Sequence, residues 1–166
     1  VTPGNDAPTI TSSASFTVEE NQTSVGTVEA SDPEDNTLSY SISGNELQID
    51  SSTGVITFVS APDYETKSSY TSTVTASDTT LSDSQEITVT ITDVDDTAPE
   101  ITLVGSNPQS IELGTAYSEL GATATDNIDE DITEDIVIDA SAVNVNTVGV
   151  YTVTYNVSDA AGNPAV

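Results

Sequence analysis

In run after run of this chain the apolar residues fall on every second position. Gln85-Glu86-Ile87-Thr88-Val89-Thr90-Ile91-Thr92 and Tyr151-Thr152-Val153-Thr154-Tyr155-Asn156-Val157 are the clearest cases. A period of two puts alternate side chains on opposite faces of an extended backbone, so these runs read as half-buried strands and not as helices. They are short and separated by turn residues, the pattern of an all-β sandwich. The same parity carries a second message. In Phe16-x-Val18-x-Glu20, Val28-x-Ala30-x-Asp32, Val74-x-Ala76-x-Asp78 and Ile91-x-Asp93, a carboxylate stands where the next core residue would be. Side chains two apart share a sheet face. These acids therefore converge on the sandwich axis instead of splaying outward.

Composition narrows the chemistry. A chain of 166 residues holds one or two sandwiches, which run to about 100 residues each. The net charge of -27 comes from 28 acidic residues against one basic residue, Lys67. A single cation cannot neutralise a run of phosphates, which excludes nucleic acid and anionic membranes as partners. The chain attracts divalent cations instead. Sustained alternation of Val, Ile and Tyr with Thr and Ser argues against disorder. Cys and His are both absent, which removes disulfides, thiolate chemistry, most zinc sites and the usual general base. No apolar run approaches the roughly 18 residues that span a bilayer, and no signal-peptide pattern is present. The chain reads as an excised soluble piece. Cysteine-free β modules rich in Ser and Thr suit the bacterial cell surface or a secreted protein.

Seven strands are expected in the first part: A at Phe16 and Val18, B at Val28 and Ala30, C at Leu38, Tyr40 and Ile42, D at Leu47 and Ile49. Strands E at Ile56 and Phe58, F at Val74 and Ala76, and G at Ile87, Val89 and Ile91 complete the set. Asp50-Ser51-Ser52-Thr53-Gly54 is a turn between D and E. Strands that alternate in direction send their loops alternately to two poles. Glu20 after A, Asp63 and Glu65 between E and F, and Asp93, Asp95 and Asp96 after G then share the lower pole. Asp32, Glu34 and Asp35 after B, and Asp78 after F, share the upper pole beside Asn5 and Asp6. Carboxylates at about 4 Å repel by roughly 1 kcal/mol per pair even in water. Four to six together call for a cation, and calcium takes six to eight oxygens. Asp93-Val94-Asp95-Asp96-Thr97-Ala98-Pro99 is a short, stiff junction, because Pro99 biases Ala98 to extended geometry, and a new alternating run starts at Ile101. The expected division is residues 1–8 as the end of a preceding linker, 9–97 as one sandwich and 98–166 as a second.

Several of these segments resemble the calcium motifs of cadherin repeats. Val18-Glu19-Glu20-Asn21, Ala30-Ser31-Asp32-Pro33-Glu34, Asp63-Tyr64-Glu65, Val74-Thr75-Ala76-Ser77-Asp78 and Asp93-Val94-Asp95-Asp96-Thr97 follow V-x-E-N, A-x-D-x-D, D-x-E, A-x-D and D-x-N-D-N in order. Glu34 replaces an Asp, Asp95 an Asn and Thr97 a second Asn. The resemblance implies a Ca2+ cofactor held by Glu20, Asp63, Glu65, Asp93, Val94, Asp95, Asp96 and Thr97, the last through its backbone carbonyl. It implies a second, upper set of Asn5, Ala7, Asp32, Glu34 and Asp78.

In the second part, Ile101 and Leu103 with Ile111 and Leu113 read as one interrupted strand. Ala122-x-Ala124-x-Asp126, Ile136 with Ile138, and Tyr151 through Val157 to Asp159 read as others. Gly114-Thr115-Ala116-Tyr117, Gly121-Ala122-Thr123-Ala124-Thr125-Asp126-Asn127, the run 148–155 and Asp159-Ala160-Ala161-Gly162-Asn163 resemble a bacterial immunoglobulin-like surface domain. In that family a last strand follows the A-A-G-N turn. Here either that strand is cut short or its edge is completed by something else. The fold class expected is therefore all-β, two tandem Greek-key β-sandwiches, the second with its last strand either missing or replaced at that edge. Asp126 and Asp159 end upward strands and face the junction, where the resemblance gives them the ligand roles of the lower repeat. Asn127 and Asp129 are near enough to contribute.

An EF-hand at residues 126–131 is rejected, because position 3 is Ile and position 6 is not Gly. Asp63 and Glu65 as a glycosidase pair lack an aromatic platform and sit in one loop, which suits an ion better than a flanked substrate. The reading is a non-enzymatic, calcium-rigidified extender or adhesion module, its partners the adjacent tandem domains, with homophilic or carbohydrate contacts as further partner classes. The alternative is a calcium-dependent carbohydrate-binding module of a secreted enzyme.

Overall fold

The computed structural model describes residues 4–165, so the first residues of the expected leading linker and Val166 lie outside the described residues. The chain divides into two compact units, Val1–Val94 and Asp95–Val166. Among the described residues all regular structure is strand apart from one 3-10 turn, and no helix is long and apolar enough to cross a membrane.

The strands of the first unit are β1 (Thr9–Ile10), β2 (Ser15–Glu19), β3 (Ser24–Thr27), β4 (Ala30–Ser31) and β5 (Ser39–Ile42). They continue as β6 (Leu47–Ile49), β7 (Val55–Phe58), β8 (Ser69–Ser77) and β9 (Ser82–Thr92). One sheet has the order β2-β9-β8-β5 and the other β3-β7-β6, with β1 and β4 forming a small ladder. The chain crosses repeatedly between sheets, as a Greek-key sandwich requires. The odd-numbered stripe of β9 is buried at Ile87, Val89 and Ile91, and it meets Val18, Val28, Leu47, Ile56, Phe58 and Val74 in one core. Each such side chain contributes about 1.5–3 kcal/mol when fully buried.

Strand B differs from expectation. It is two pieces: β3 pairs β7 through a bulge between Ser24 and Gly26, and β4 pairs β1. Val28 sits at the break, where its amide donates to the Gly54 carbonyl at 2.9 Å. Pairing with β7 ends at Thr27 and pairing with β1 begins at Ala30, so one segment serves both ladders. β1 was not anticipated, since two residues are too few to show a period.

The second unit contains β10 (Glu100–Leu103), β11 (Ala122–Asp126), β12 (Glu130–Asp131), a 3-10 turn at Thr133–Asp135, β13 (Val137–Asp139) and β14 (Thr154–Asn156). Its sheets are β10-β11-β12 and β13-β14. Ala124, Ile132 and Val157 are buried, with Ile101, Ile136 and Ala165 packed against them. The expected continuation of the first strand through Ile111 and Leu113 is absent: these residues are 41% and 63% exposed and lie outside any strand. The long strand expected at 151–157 is regular only at 154–156. Alternation fixes which face a side chain takes, but a strand also needs a neighbour to bond, and these segments border a cleft of about 730 Å3.

Candidate metal centre

β2 and β9 run parallel, with Glu19 opposite Thr92, so both strands end at one pole of the first unit. Glu20 is the next residue on the β2 stripe and is 2% exposed. Its amide donates to the Thr92 carbonyl at 3.1 Å, fixing it beside the exit of β9. Its carboxylate accepts the Tyr64 amide at 2.8 Å and the Val94 amide at 2.8 Å. One buried carboxylate thus joins the end of β2, the loop between β7 and β8, and the chain leaving β9. Carboxylate oxygens of Glu20, Asp63 and Glu65 lie within 4.8 Å of one another. Asp63 is set by its own turn, accepting from the Thr66 amide and hydroxyl at 3.0 Å each. Asp93 and Val94 are exposed where the strand ends.

The opposite pole of this unit gathers the upper set. The Asn5 side-chain amide donates to Asp78 at 2.7 Å, the Asp6 amide to Glu34 at 3.0 Å, and Asn36 to the Asn5 side-chain oxygen at 2.9 Å. Asp32 accepts the amides of Glu34 and Asn36 through one oxygen. Its other oxygen is buried with no hydrogen-bond partner. Asp78 is buried, and the Leu81 amide, the Asn5 side chain and the Thr80 amide hold its pKa below the ordinary value. Ala7 is exposed and adds no side-chain ligand.

In the second unit, oxygens of Asp95, Asp126 and Asp129 also lie within 4.8 Å of one another. β11 positions Asp126 as the stripe expected, and one of its oxygens accepts the Ile128 and Asp129 amides. The other is buried without a partner. A buried carboxylate oxygen lacking a donor costs free energy unless a cation or water meets it, so this set fits a hard cation. Asp159 is buried but organises its own turn. It accepts the amides of Gly162 and Asn163 and the Asn163 side chain, and Asn163 also donates to the Asp95 carbonyl at 3.0 Å. Burial raises the Asp159 pKa, but the Asn163 and Gly162 hydrogen bonds outweigh it and the net shift is downward. Asp96, exposed, and Thr97, half-buried, are outside this trio.

All these candidate donors are oxygens, with no thiol or imidazole in the chain, and such donor sets suit calcium and magnesium, not zinc or copper. Asp129 is near enough to contribute, as the sequence suggests, but its contact from the Ala160 amide at 2.6 Å, which ties it to the A-A-G-N turn, has no sequence signal. A second feature was not read from the sequence. Glu119 accepts the hydroxyls of Tyr117 and Tyr155 and the Gly121 amide. Tyr155 was read only as a core residue, and a hydroxyl partner 36 positions away leaves no sequence signal.

Residues 14–92 match the cadherin domain family, and residues 101–166 match the family described as bacterial surface protein, Ig-like domain. A search of curated proteins finds no match. Among solved structures the chain is similar to human protocadherin-24 EC1-2, with TM-score 0.60 and 22% identity over 82% of this chain and 66% of that one. Drosophila N-cadherin EC1-4 gives 0.64 and 19%, covering 98% and 48%. Mouse cadherin-23 EC22-24 gives 0.56 and 18%, covering 96% and 62%. The likeness at these identities is one of fold, and this chain spans less than two thirds of the length of each. The chain is a cadherin-domain-like segment followed by a bacterial immunoglobulin-like surface domain.

Proposed function

We propose that the chain is a non-catalytic extender and adhesion module of a bacterial surface or secreted protein, stiffened by calcium at the junction of its two domains. The domains in this reading are 9–97 and 98–166, with 1–8 closing a preceding linker. The observation that carries it is Glu20, 2% exposed and bonded to the Tyr64 and Val94 amides, with Asp63 and Glu65 oxygens within 4.8 Å. That arrangement aims several carboxylates at one point beside the linker. Asp93 and Asp96 complete the upper ligands, and Asp95 with the carbonyls of Val94 and Thr97 lies along the path between domains. Asp126, Asp129 and Asp159 supply the lower ones. Asn5, Ala7, Asp32, Glu34 and Asp78 form the equivalent half-site toward a preceding domain.

Calcium is favoured over magnesium because the donors are many and come from several separate segments, whereas magnesium demands a tight octahedron and keeps its waters. A bound ion stiffens the linker by sharing ligands from both domains and cancelling repulsion among acids that otherwise push apart. The partners are the adjacent tandem domains, and the location is extracellular. Small-angle scattering in chelator and in millimolar calcium tests the reading. A longer, narrower particle with calcium is expected, with calcium stoichiometry measured on the same sample. Identical distance distributions in both conditions would overturn it.

A further inference from the structure

The loop that carries Asp63 and Glu65 runs from the end of β7 to the start of β8, and one residue holds both of its ends. The Val59 amide donates to the Glu46 carbonyl at 2.9 Å. The Lys67 ammonium donates to both oxygens of the Glu46 carboxylate, at 2.6 and 2.7 Å. Lys67 is the single basic residue of the chain, and it pairs with Glu46. Its ammonium also lies 4.3 Å from the centroid of the Tyr70 ring. Tyr70, near the start of β8, packs edge-on against Phe58, the last residue of β7, at 4.9 Å between centroids. The ion pair therefore sits over the aromatic contact that joins the two strands flanking the loop. Within the loop, the Lys67 amide donates to the Asp63 carbonyl at 2.9 Å, and from outside it the Asn21 amide donates to the Pro62 carbonyl at 3.0 Å.

We infer that Glu46 and Lys67 form a clasp that sets the position of the carboxylate loop, which makes Lys67 a positioning residue for cation binding by Asp63, Glu65 and Glu20. The inference rests on the calcium reading above. Charge alone gives the opposite sign: a cation close to a cation site weakens it, so removing Lys67 would tighten calcium binding. Loss of the clasp lets the loop swing and weakens binding. The direction of the change therefore separates a positioning role from a purely electrostatic one.

Calcium is titrated calorimetrically into the wild-type chain, Lys67→Met, Lys67→Arg and Glu46→Gln at a fixed salt concentration near 0.15 M. Lys67→Met is expected to weaken binding about twofold to fivefold, the range a surface ion pair of this kind supports. Lys67→Arg keeps the bidentate pair and is expected to retain wild-type affinity. Glu46→Gln is expected to weaken binding as well. Thermal melts in chelator report folding of each variant independently of calcium. Unchanged or tighter binding in Lys67→Met, with wild-type binding intact, overturns the inference. Absence of calcium binding in the wild type overturns the calcium reading itself, before any variant is compared.

Discussion

Glu20 shows how much one side chain is asked to do. Its two oxygens receive two backbone amides from different segments, so it closes the pole of the first unit even without an ion. Glu20→Gln keeps the shape but turns an amide N–H toward one of those donors and removes the charge. An unsatisfied buried donor costs about 1–3 kcal/mol. We predict that loss in chelator, by urea denaturation, together with loss of calcium affinity. Asp63→Asn, at an exposed residue, should lower affinity with a smaller change in chelator stability. The position of Glu20 was legible because it continues the Phe16-Val18 stripe by parity. The amides it accepts were not, since they come from Tyr64 and Val94, segments that only the folded topology brings together.

Glu119 gives a pH-dependent prediction at the same scale. The hydroxyls of Tyr117 and Tyr155 and the Gly121 amide hold its pKa down to about 2 from an ordinary 4.5. The unfolded chain then binds more protons than the folded one across that interval. The contribution of Glu119 is complete above about 4.5 and is lost as pH falls toward about 2. Glu119→Gln should flatten that part of the acid limb of the second unit, measured as the difference in melting temperature from wild type. On the alkaline side the same carboxylate pushes Tyr155 up to about 12, so its stabilisation fades as pH rises through that value. A wild-type acid limb identical to that of the variant would remove the role assigned to this cluster.

Among the elements, the β6-β7 turn is the most constrained. Gly54 has φ +72, and a Cβ there would stand 2.3 Å from the Val28 carbonyl oxygen. The contact is backbone, at the break between β3 and β4, and it cannot swing aside. Gly54→Ala should cost at least about 2 kcal/mol, combining left-handed strain with the clash. A urea midpoint equal to wild type would show that the turn relaxes. The glycine was legible from its turn residues, although its reason, closeness to Val28, was not. The strands divide in the same way. β9 and β8 are long, their stripes are buried, and their parity was readable. Ile111, Leu113 and Tyr151 alternate equally well yet lie outside strands, because period two records facing and says nothing about whether a neighbouring edge is present to complete the ladder.

Across the whole molecule the controlling quantity is charge. A net charge of -27 opposes compaction by self-repulsion, and two remedies act on it differently. Monovalent salt screens exposed acids, with a Debye length of about 8 Å at physiological strength, and does so everywhere at once. An ion bound only by the folded state stabilises by mass action, by about 2.7 kcal/mol at a hundredfold excess over its dissociation constant. The clustered acids of the two units therefore predict a specific increment beyond screening. At constant ionic strength near 0.15 M, calcium should raise the melting temperature with a saturating dependence on concentration, and excess chelator should reverse it. Magnesium at equal concentration should give a smaller rise, because these loop carboxylates do not enforce its octahedral shell. If sodium chloride matched in ionic strength reproduces the whole calcium effect, the acids act only as a diffuse negative surface. The proposed stiffening at the junction would then need a source in direct packing instead of a shared ion.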